Sequence, residues 1–133
     1  MKKYLIKLIL TLFITAMTPA CSPDPVVLLE NKLYELEDIL KYNNNDPDNM
    51  LLQLREFTQK NRDFWIENQK QINNMDVEKV DRASAVRETQ IQEHYINITN
   101  LILEYQHRFR NQPEKIAELT ALMRQITTYE HHD

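Results

Sequence analysis

Few side chains in this sequence could do chemistry. Cys21 is the only cysteine in the chain, so no intramolecular disulfide can staple the fold. The histidines are His94, His107 and the pair His131-His132, which sits between Glu130 and Asp133. By composition that tail could ligate a metal. It has no distant ligand set, however, and a fraying terminus cannot preorganise a site. There is no His-Glu-x-x-His. His94 falls on an apolar helical stripe, where a hydrogen-bonded core or boundary histidine is a plainer expectation than a ligand or proton switch. His107 lies near a helix end and suits the dipole there. Beyond Ser22 the one serine is Ser84, on a packing face, and Glu88 and Glu93 read as solvated surface. Asn97-Ile98-Thr99 fits a glycosylation acceptor pattern, but mid-helix. Glycine is absent from all 133 positions, which excludes phosphate-cradling loops, nucleophile elbows and Asn-Gly hairpins. No catalytic residue, metal or cofactor is expected.

The first 21 residues have a clearer purpose. Met1-Lys2-Lys3 is a positive start, and Leu8 to Met17 is apolar and uncharged. Thr18-Pro19-Ala20-Cys21 closes the stretch, after which the chain turns polar. This is the layout of a secretory signal. Lys7 interrupts the apolar run, and the remainder falls far short of the roughly 20 residues that cross a bilayer. Ala20-Cys21 resembles the end of the lipobox of bacterial lipoproteins. The resemblance implies cleavage before Cys21 and acylation of its thiol, with residues 1–20 as signal peptide. The rival is ordinary signal peptidase cleavage at the same bond, since Thr18 and Ala20 are both small. In lipoproteins of this kind, aspartate after the cysteine favours the inner membrane. Ser22 therefore implies a Gram-negative outer membrane, most simply its periplasmic face.

Charge narrows the partners. The leader holds Lys2, Lys3 and Lys7 and no acid, so its removal takes 16 basic side chains to 13 against 20 acids, a net of −7. That argues against a nucleic-acid binder and against a broad electrostatic grip on anionic headgroups. Residues 21–25 form a short stiff tether, with Pro23 and Pro25 excluding helix. Residues 26–133 are one small helical domain.

Periodicity divides that domain into four helices. The first runs from Val26 to Tyr42, with Leu29, Leu33, Leu36 and Leu40 at three-four spacing and Glu37-Lys41 as an i,i+4 pair. The second starts near Asp48 as N-cap and ends near Gln71 to Asn73. Its stripe of Leu51, Leu54, Phe57, Phe64 and Trp65 is interrupted by Asn61 and Asn68, which are expected to meet water. The third runs from Asp76 to Phe109, and the fourth opens at Pro113 behind Asn111 or Gln112. Asparagines stand at the breaks in place of glycine, where left-handed helix stops are expected.

The fold expected is all-α, an uneven antiparallel four-helix bundle with a long central hairpin of the second and third helices. In that hairpin Trp65 would face Ala83-Ser84-Ala85. The shorter outer helices would cover the hairpin only in part. An apolar strip would stay open for a partner helix at Leu54, Phe57, Tyr95 and Ile98, continued by Leu51 and Ile102. The function expected is a non-enzymatic, lipid-anchored binding or assembly factor for another envelope or secretion-system protein. In size and build alone it is similar to secretion pilotins. The alternative is a self-associating or surface-displayed structural, adhesion or exclusion lipoprotein.

Overall fold

A computed structural model of the chain describes residues 24–74 and 82–127. All regular structure among them is helical: α1 (Pro25–Tyr42), α2 (Pro47–Lys60), α3 (Arg62–Asn73), α4 (Arg82–Arg108) and α5 (Pro113–Thr127), with no strand. The all-α class holds. None of these helices is long and apolar enough to cross a membrane.

One device starts three of the helices. Asp24 caps α1, its Oδ1 accepting the Val26 amide at 2.9 Å, with Pro25 in the first turn. Asp46 caps α2 by accepting the Asn49 amide at 3.0 Å, again with proline next. Before α5, the Gln112 carbonyl takes the Lys115 and Ile116 amides at 3.0 and 3.3 Å. Proline lacks only an N–H that the first turn leaves unbonded. Two expectations are thereby corrected. Pro25 belongs to a helix rather than to a tether, and the cap of α2 is Asp46, not Asp48. Asp48 is a first-turn acid that pairs with Lys115 of α5.

Asparagine ends helices here by another route than a left-handed turn. Among the described residues no side-chain-bearing residue has a positive φ. Asn43 sits at φ −97°, ψ 18° and Asn61 at φ −104°, ψ 14°. Each donates its side-chain amide to the carbonyl four residues back, Asn43 to Ile39 and Asn61 to Phe57, both at 2.8 Å. Asn43 Oδ1 also accepts from Asn49 at 2.6 Å, which ties the α1–α2 turn together. Asn61 divides the expected second helix into α2 and α3. Asn61 and Asn68 are 6% and 4% exposed, so both are buried rather than wet.

The contacts also revise the pairing. The main partner of α4 is α1, and α2 packs on α1 and α5. Glu30 meets Arg87, Glu37 meets His94, and Asn44 meets Arg108, so α1 and α4 advance side by side in the same direction. A central hairpin of the 48–73 and 76–109 segments is not the pairing that dominates. The turn expected at 73–76 is described only as far as Asn74, just past the end of α3, and the side chains of Ala83 and Ser84 lie outside the described residues; Ala85 is exposed, while Trp65 is buried. The core is Leu33, Leu36 and Leu40 of α1, Met50, Leu51, Leu54 and Phe57 of α2, Trp65 of α3, Ile98 and Tyr105 of α4, Phe109, and Leu119, Leu122 and Ile126 of α5.

Candidate functional site

Three of the four residues expected to bind a partner belong to this core. Leu54, Phe57 and Ile98 are 0%, 6% and 4% exposed. Phe57 meets Trp65 edge-on at 6.2 Å between ring centroids, and Trp65 meets Phe64 at 5.1 Å. The strip was expected to lie open because the outer helices looked too short to cover it. In the fold, α2 is itself sandwiched between α1 and α5, and Leu51 is buried with it. The correction is that Leu54, Phe57 and Ile98 cannot be a free docking face. Tyr95, the fourth, is 42% exposed.

What lies open is the next sector of α4. Ile96 and Leu103 are 60% and 57% exposed, with Tyr95 and Thr99 exposed beside them and Ile102 half-buried. At 3.6 residues per turn, Ile98, Ile102, Tyr95, Thr99, Leu103 and Ile96 follow one another round the helix over roughly 160°. Ile98 is buried in the core and Ile102 packs against it, while Ile96 and Leu103 at the far side of the arc are exposed. Along its inner side runs a narrow apolar groove of 140 Å³, between Leu33 and Leu36 of α1, Tyr95, Ile98 and Ile102 of α4, and Met123 and Ile126 of α5. Tyr95 and Ile102 therefore belong both to the groove and to the exposed arc.

On the other side of Ile98 from the arc, α1 and α4 share a buried carboxylate. Glu37 is 3% exposed. One of its oxygens accepts Asn97 Nδ2 at 3.0 Å and also Lys41 Nζ; the other lies 2.5 Å from His94 Nδ1. A carboxylate can only accept, so Nδ1 is the protonated nitrogen of that ring. The His94 ring also stands edge-on to Tyr34 at 6.0 Å. Burial alone would raise the Glu37 pKa, but hydrogen bonds from Lys41, His94 and Asn97 together outweigh it and hold the carboxyl below its usual range. His94 is thus a hydrogen-bonded boundary residue, and Asn97 is engaged with Glu37. Further along, Tyr105 Oη donates to the Leu40 carbonyl at 2.6 Å, and burial pushes its phenol up, which keeps the donor protonated.

Among the described residues no cluster of three His, Cys, Asp or Glu could hold a metal. His107 is exposed in the last turn of α4. Cys21, Ser22, the side chain of Ser84, and Glu130 to Asp133 lie outside the described residues. Sequence reasoning treated Glu37 only as an i,i+4 partner of Lys41. Its place on the inner face, between Leu33, Leu36 and Leu40, was the available signal.

Comparison of the chain with protein-family models, with characterised proteins and with solved structures finds no match.

Proposed function

We propose that this chain is a small helical lipoprotein, held at the outer membrane through Cys21, most simply on its periplasmic face. In this reading it binds and helps to assemble another envelope or secretion-system protein, and it catalyses nothing. The finer architecture belongs to the same proposal: α1, α2, α4 and α5 as an uneven four-helix bundle with α3 packed at one end. The single observation that carries the binding role is the arc of Tyr95, Ile96, Ile102 and Leu103 beside the groove. Ile96 and Leu103 face solvent outside the core, and exposed apolar side chains of this size beside a groove mark a contact site. An amphipathic helix laid along the arc would bury Ile96 and Leu103 and seat a side chain in the groove.

The test is site-specific photo-crosslinking in intact cells from Ile96 and from Leu103, with exposed Glu93, which lies off the arc, as a control. A discrete heterologous adduct from the two apolar positions supports a binding module. A ladder at multiples of the chain's own mass replaces it with the self-associating reading. With the crosslinker carried instead at Tyr95, 42% exposed on the same arc, Ile96→Lys with Leu103→Lys should abolish the adduct and leave the helical circular dichroism unchanged, since both residues are exposed. An undiminished adduct from that variant would remove the arc from the interface.

A further inference from the structure

A second concavity, unrelated to the apolar arc, lies between α2, α3 and α5. It is an open cleft of 650 Å³. Arg55 comes from α2, Arg62 from the first position of α3 and Arg124 from the last turn of α5. Gln59 and Gln125 supply neutral amides between them, and Ile66 and Leu122 add apolar wall. Among the described residues that line the cleft none is a carboxylate, and the nearest paired acid is Glu118, which holds Arg55 from beside it. Three guanidinium groups from three helices border one hollow, Arg55 already paired with Glu118.

The donor inventory favours a particular ligand. Arg55 gives Nε and one Nη hydrogen to Glu118 Oε1, two of its five N–H donors, and that pair holds the side chain at the cleft. Arg62 and Arg124 have interactions of their own. A guanidinium with five donors can keep such a contact and still present a planar edge to an oxyanion. A carboxylate offers two oxygens, enough for one guanidinium. A terminal phosphate offers three oxygens and close to two charges, which suits several arginines together.

We infer that this cleft binds a phosphate monoester. α2 runs back from the Asn43–Asp46 turn towards the level where α1 begins, which brings Arg62 towards the Pro25 end, whereas Arg124 follows Met123, which lines a groove with Leu33 and Leu36 near the middle of α1. A phosphorylated headgroup at the membrane surface and a soluble phosphate ester share the chemistry, and the experiment separates them.

The experiment uses the full chain purified in a non-ionic detergent, with arginine Nε–H resonances followed by nuclear magnetic resonance. Inorganic phosphate and glycerol phosphate are titrated first. Saturable shifts of Arg55, Arg62 and Arg124, before the exposed Arg108 moves, are expected. Arg62→Gln with Arg124→Gln should weaken binding at least tenfold, because charge-assisted hydrogen bonds are lost. A second arm replaces part of the detergent with phosphatidic acid, against phosphatidylcholine as control. Saturation with phosphatidic acid alone assigns the ligand to a headgroup; saturation with the soluble esters assigns it to solution. The inference is overturned if none of the phosphate probes saturates, if Arg108 shifts in step with the three, or if the double variant binds as tightly.

Discussion

Replacing Glu37 with alanine tests whether the buried carboxylate holds α1 to α4. The substitution removes the acceptor shared by Lys41, His94 and Asn97. The Lys41 side chain is 55% exposed, so its loss should cost no more than about 0.5 kcal/mol. His94 and Asn97 bond a charged, buried acceptor, at about 1.5 kcal/mol each. Removing the carboxylate also relieves its desolvation, which offsets part of that total. A net loss of about 2 kcal/mol remains. For a domain of this size it lowers the melting temperature by about 10 °C. Acid should erase the difference. The Glu37 pKa is held below the ordinary glutamate value of about 4.3, so its stabilisation is fully present above that pH. It is lost as pH falls through the folded-state pKa. Thermal unfolding followed by circular dichroism, on wild type and Glu37→Ala from neutral pH down to about pH 3, reads both effects. A gap between the two proteins that persists or widens in acid would refute the claim that an ionised Glu37 ties the helices together.

Two further outcomes follow from the same reasoning. Cys21→Ser should move the chain from the membrane fraction to the soluble one without changing its far-ultraviolet spectrum, since each buried acyl methylene adds about 0.8 kcal/mol of membrane affinity; wild type that takes up no labelled fatty acid would contradict the anchor. Asn43→Ala removes the bonds to the Ile39 carbonyl, Asn49 and Gln53, and should cost about 1–2 kcal/mol in a denaturant titration; an unchanged midpoint would mean that the α1–α2 turn holds without them.

Local rules were legible in the sequence and non-local choices were not. Pro113 was read as a first-turn residue from its own neighbours. The same rule applies at Pro25 and Pro47, where an aspartate precedes each proline; there Pro25 was taken to exclude helix, and Asp48, beyond Pro47, was taken as the cap. The break at Asn61 was hidden for a different reason. Leu54, Phe57, Asn61, Trp65 and Asn68 keep three-four spacing across it, so periodicity sees one helix. The backbone departs from helical values at a single residue. Burial of Leu54, Phe57 and Ile98 depends on which helices pair. Several Leu-rich stripes in this chain are interchangeable by composition, and no local pattern chooses among them. Of the expected strip only Tyr95 and Ile102 keep an open face.

The choice among stripes must therefore be made by groups that are not interchangeable. Glu30 pairs with Arg87 and Glu37 with His94 across the same separation of 57 residues. The two ties are seven residues apart on both helices, two turns along one shared seam. Sliding α4 by one turn would leave Leu facing Ile or Tyr much as before, at little hydrophobic cost. It would also strand Glu37 in the interior without its donors, at several kcal/mol. The apolar residues supply the attraction between α1 and α4, and the charged ties supply its register, the role best attested for polar groups in helical seams. The same register fixes where the arc of α4 emerges. If it slipped by a turn, Ile96 and Leu103 would shift along the groove formed by Leu33, Leu36, Met123 and Ile126. Glu37→Ala should thus blur any adduct formed from Ile96, even under conditions where the variant remains folded.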